Sequence, residues 1–126
     1  MEHIYKSIAG FVYAFQRTHF ELQQLLAQLD GRAPRYALEA PSPLEFFAEA
    51  DAAREVFGRL ALAPREREAF DALSGGLHAV GQLYQRLTLA DFKLPERDIA
   101  LATEACRKAQ QLLRQCGQIA AAGRKA

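Results

Sequence analysis

From residue 4 to residue 29 apolar side chains recur at gaps of four and three: Ile4, Ile8, Phe11, Phe15, Thr18, Leu22, Leu25, Leu29. Such a run fits one face of a helix with 3.6 residues per turn and nothing else in the regular repertoire. A helix this long, roughly 40 Å, has to lay its seam against other elements. The lane beside it, Tyr5, Val12, His19 and Leu26, is also mostly apolar. A buried stripe of that width suits a helical bundle rather than a two-stranded coil.

The rest of the chain supplies the partners. Asp30-Gly31 ends the first helix, with Gly31 set for the left-handed position after the last turn. Prolines 34, 41 and 43 exclude regular helix from the connection 31–42, which has Tyr36 and Leu38 as expected anchors. Ser42-Pro43-Leu44-Glu45 reads as a capping box opening a second helix over 43–61, with Phe47, Ala50, Arg54, Phe57 and Ala61 as its seam and Phe46 beside it. Pro64 opens a third helix to residue 89, with Phe70, Leu73, Leu77, Val80, Tyr84 and Leu87 inward. Gly75-Gly76 predicts a kink there, each glycine costing about 1 kcal/mol of helix propensity, and Gly81 is a further point of close approach. After anchors at Phe92 and Leu94 comes a fourth helix over 95–121. Its seam of Ile99, Ala102, Cys106, Ala109, Leu113, Cys116 and Ala120 is mostly small and complements the rings of the first helix. The expectation is an all-α four-helix bundle in a single domain over 1–126.

Composition narrows the function classes. A net charge of +1 lacks the bulk attraction of a strongly basic nucleic-acid binder. No run of about 18 apolar residues is present, and Lys6, Ser7 and Arg17 break up the N-terminal segment, so neither a membrane span nor a signal peptide fits. A cytoplasmic location follows as the expectation. Cys106 and Cys116 stand ten residues apart on one helix, about 15 Å along its axis, too far for a disulfide between them. Free thiols fit a reducing compartment. Arginine outnumbers lysine twelve to four and alanine is abundant, a bias associated with high-GC bacterial genomes.

No catalytic, cofactor or metal constellation stands out. His19 is followed by Phe20 where a phosphoacceptor helix carries an acidic residue, and the segment around His78 lacks the lysine of a phosphotransfer site. They read as a half-buried structural histidine and a helix-surface histidine. Ferritin-like metal binding needs paired Glu-x-x-His motifs, and zinc needs closely spaced cysteines; the chain has neither pattern. No metal, no cofactor and no enzymatic activity are therefore expected.

Two surface features remain. Tyr13 and Phe20 lie seven residues apart on the side of the first helix opposite its seam. Three occupants suit them: the connection folding back, a second copy in a homodimer, or another protein. Exposed rings of this kind are typical of interface centres. Charge is also polarised, with Glu39, Glu45, Glu49, Asp51 and Glu55 against Arg54 around the second helix, and six bases against three acids from Glu96 onward. The expected function is a non-enzymatic protein-protein interaction module, an adaptor, chaperone, immunity-like or assembly subunit, acting as a homo-oligomer or in a complex. The alternative is a nucleic-acid-associated subunit whose Arg107, Lys108 and Arg114 contact phosphates.

Overall fold

The computed structural model describes residues 2–31 and 40–125. It contains α1 (Glu2–Asp30), α2 (Pro43–Gly58), α3 (Pro64–Leu89) and α4 (Glu96–Lys125), and no strand among the described residues. The four helices pack as an all-α bundle, in the ring order α1, α4, α3, α2. None of the described helices is long and apolar enough to cross a membrane.

Contacts along the helices fix their directions. On α1, Ser7, Thr18, Glu21 and Gln28 bond in that order to Glu96, Cys106, Arg114 and Gly117 of α4, so the two helices run parallel. Phe15 meets Phe46, and His19 meets Glu49, so α2 also runs parallel to α1. Phe70 packs on Phe57 and Gly81 on Phe47, which makes α3 antiparallel to α2. The connection after α1 is thus a crossover that returns the chain to the height of Phe15 before α2 begins. Its residues 32–39, with the expected anchors Tyr36 and Leu38, lie outside the described residues.

The expected seams of α1, α3 and α4 form the core: Phe11, Phe15, Leu22 and Leu25, then Phe70, Leu73, Leu77 and Val80, then Ile99, Ala102, Cys106, Ala109, Leu113 and Cys116. Each large side chain there contributes about 1.5–3 kcal/mol by leaving water. Small residues on α4 let α1 approach closely, as their pattern predicts. At this contact Thr18, the one buried polar residue of the described core, donates through Oγ1 to the Ala14 carbonyl at 2.8 Å and faces the Cys106 carbonyl at 3.3 Å. Gln110 Nε2 donates in turn to the Ala14 carbonyl and to Thr18 Oγ1. The hydroxyl is satisfied, as a buried polar group has to be.

Helix ends differ from expectation where distant groups intervene. Ser42 Oγ accepts the Glu45 N–H at 3.2 Å, which is one half of the expected capping box. α2 stops at Gly58 instead of residue 61, and the Arg67 guanidinium of α3 donates to the carbonyl of Phe57 in its last turn and of Leu60 just beyond it, at 2.7 and 2.6 Å. Phe57 O also accepts the Leu60 N–H, so the chain leaving the helix is held from both sides. The buried face of α2 is Phe46, Ala53, Val56 and Phe57, while Arg54 and Ala61 of the expected seam are exposed. Phe47 serves the α3 flank instead: a Cβ on Gly81 would sit 2.7 Å from its ring. The close approach thus falls at Gly81. Helix α3 runs unbroken through Gly75-Gly76, where a Cβ meets nothing within 4 Å on Gly75 and only ordinary contact on Gly76. Beyond α3, Asp91 and Phe92 both adopt left-handed backbone, φ 53° and 59°, costing on the order of 1–3 kcal/mol each. The Phe92 N–H bonds the Leu87 carbonyl at 2.8 Å, and its ring packs against Phe11, which holds the turn.

Candidate functional site

The outer face of α1 is the most apolar exposed helix surface described. Tyr5 is 69% exposed, Tyr13 67%, Phe20 45% and Val12 37%. Tyr13 and Phe20 are on this face as the spacing predicts, and Phe20 already has a contact within its own chain. Tyr5 and Val12 depart from expectation, since their lane was assigned to the buried stripe. The cause is the crossover: α2 joins α1 only near the height of Phe15, so on that flank the turns carrying Tyr5 and Val12 are left without cover from α2. Ile4 is exposed for the same reason. At 16 residues α2 is too short to cover the 29 residues of α1.

Higher up, the same lane is closed by a polar contact. His19 Nε2 lies 2.5 Å from Glu49 Oε2, with Gln23 Nε2 at 3.5 Å and the Phe46 ring nearby. His19 is half-buried and structural, joining α1 to α2. Tyr84 fills the space beneath: its ring stacks on Phe15 at 4.1 Å between centroids, and its hydroxyl donates to the Pro41 carbonyl at 2.7 Å. Burial, and then the nearby Glu45 carboxylate, push the Tyr84 pKa up. Among the described residues, the Glu45 and Glu49 carboxylates thus lie on the α2 flank of α1.

On the α4 flank, Arg17 and Arg114 both reach Glu21 Oε1, at 3.3 and 3.4 Å. Of the three cations expected to meet phosphates, Arg114 thus faces Glu21, Arg107 lies 3.7 Å from Glu104, and Lys108 is exposed. Arg107 and Arg114 share the edge of α4 next to α1, while Lys108 is turned outward by about 100° from Arg107.

Two further places bear on chemistry. A groove of about 500 Å³ between α2 and α3 is lined by Asp51, Arg54, Asp71, Ser74, Gly75 and His78. His78 lies against the Phe47 ring, and no hydrogen bond links it to Ser74, Asp51 or Asp71. Cys106 and Cys116 are free and buried. Desolvation pushes their thiols up to about 11 and about 12, the former despite a bond from Thr18, so both are protonated and unreactive near neutrality. Among the described residues, no three His, Cys, Asp or Glu side chains cluster closely enough to hold a metal ion. Comparison of the chain with protein-family models, with curated proteins and with solved structures finds no match.

Proposed function

We propose that this chain is a non-enzymatic interaction module, an adaptor, chaperone, immunity-like or assembly subunit, that works through the outer face of α1 in contact with another protein or its own copy. One observation carries the reading: Tyr5, Val12 and Tyr13 stand exposed together on a helix whose opposite face is core. Large aromatic side chains lose much water-exposed apolar area when covered, and they dominate interface energetics. Two free thiols fit the reducing cytoplasm, and the arginine-rich, alanine-rich composition fits a bacterial source.

Radical footprinting of the protein in its host cell and after purification tests this. Tyr5 and Tyr13 are expected to be several-fold less reactive in the cell, with exposed Leu44 and Leu89 unchanged as internal controls. Equal reactivity in both settings would overturn the reading. The nucleic-acid alternative has the exposure of Arg107, Lys108 and Arg114 in its favour. It requires binding at low salt that falls with a log-log slope of roughly −2 to −3 for three phosphates.

A further inference from the structure

We infer that the partner on this face is a second copy of the same chain, packed with the two α1 helices side by side and parallel about a two-fold axis running along them. The inference rests on reading α1 as an interaction surface and adds which partner it takes and in which orientation.

Spacing supplies the seam. Ala9, Tyr13, Gln16, Phe20, Gln23 and Ala27 recur at gaps of four and three. This line lies opposite the core seam; its apolar members, Ala9, Tyr13, Phe20 and Ala27, are spaced so that they can meet a second helix over several turns, with two glutamines between them. Tyr13 is its exposed centre, with the small Ala9 one turn below leaving room for a ring from across the axis. Tyr5 and Val12 border the seam on the α2 side, and Lys6 and Arg17 border it on the α4 side.

Charge decides the orientation. The α2 flank presents Glu45 and Glu49, the latter bound to His19. Across the seam, Arg17 and Arg114 share a single carboxylate, that of Glu21, which leaves that flank with an excess of positive charge. A two-fold axis along the helices sets the acidic flank of each copy against the basic flank of the other, with matching heights. Arg17 lies between Phe15 and His19, the two residues at which α2 meets α1. Each Arg17 therefore faces the level of Glu45 and Glu49 in the other copy. An antiparallel pairing sets acidic against acidic and basic against basic. Like charges brought together at an interface are costly, so the parallel arrangement is selected. Because the contact is the same patch on both copies, it closes as a dimer and does not propagate.

The experiment combines solution mass with cross-linking. The wild type is expected to have twice the chain mass, and Tyr13→Arg to weaken pairing at least tenfold with unchanged helical circular dichroism. Tyr13→Cys is expected to give a disulfide-linked dimer under mild oxidation, as the axis brings the two positions together. Leu101→Cys, exposed on α4, should remain unlinked, and the two native thiols are buried and silent. Arg17→Glu should weaken the dimer severalfold, and the double variant Arg17→Glu with Glu45→Arg should recover it. A wild-type monomer at about 100 µM would overturn self-pairing, since that is far above the dissociation constant of a functional dimer. A dimer whose Tyr13→Cys form links no faster than Leu101→Cys, or whose charge reversal is not rescued, would overturn the parallel geometry. A monomer whose Tyr5 and Tyr13 are nonetheless protected in the cell removes only self-pairing; a monomer without that protection removes the interaction surface as well.

Discussion

The two flanks of α1 are built on opposite principles. Toward α4 the contact runs the length of the helix, with small residues receiving large ones and one satisfied polar node at Thr18, Gln110 and the Ala14 carbonyl. Toward α2 the contact is short, confined to Phe15 and His19 and their neighbours, and it includes a part-buried His19–Glu49 pair. Below it the helix faces water with Tyr5 and Val12. Sequence periodicity alone treats the two flanks alike. What separates them is the length and height of the neighbouring helix.

That contrast can be broken by mutation, the largest effect first. Leu22→Ala, at a fully buried site of the core seam, should cost about 2–5 kcal/mol in chemical denaturation, whereas Val12→Ala should stay within about 0.5 kcal/mol. Similar losses at both sites would show that the lower α2 flank is covered after all. Raising the pH tests how dry the α4 side is. The folded pKa values of Cys106 and Cys116 are raised above the unfolded value near 9, so the protonated thiols contribute fully below that pH. The contribution is lost as pH climbs through about 11 and about 12, on the order of 2 kcal/mol per thiol. Cys116→Ala should flatten this alkaline slope, at its own cavity cost. Gly81→Ala, which drives a methyl group into Phe47, should cost about 1–3 kcal/mol and loosen α2 from α3. Thr18→Val, which removes the hydroxyl from the α4 contact, should cost about 1 kcal/mol, more than loss of the Glu49 carboxylate in Glu49→Gln on the other flank.

Much of the bundle was legible because its signals are local. The seams of α1, α3 and α4, the Gly31 stop, which bonds back to Ala27 with φ 70°, and the Ser42 cap depend on residues within a turn or two of one another. The parts that were not legible depend on distance in the chain. The end of α2 is held by Arg67 from the next helix, and its inner face is wedged between Phe15 and Gly81. Gly81, expected as a point of close approach, is one, but the ring it admits, Phe47, was assigned to the seam of α2 and only the packing of α2 on α3 identifies it. For the candidate surface, Tyr13 was readable from angle alone, being opposite the seam. Tyr5 and Val12 were not, because a connection of a dozen residues leaves the height at which α2 meets α1 undetermined, and that height is what leaves them exposed.

The parallel pairing of α1 with α4 also sets an order of events. The bonds from Ala14 and Thr18 to Gln110 and Cys106 join residues 88 to 96 positions apart, while α2, α3 and α4 follow one another through short turns. Closing so long a loop is entropically expensive until much else is in place, and contacts of this range slow folding. During synthesis α1 precedes the other three helices, and α2 and α3 bring Phe46 and Tyr84 to its rings before α4 is available. The helix that carries the exposed tyrosines is thus fully seated only when α4 joins it, and its outer face becomes a defined surface at that point.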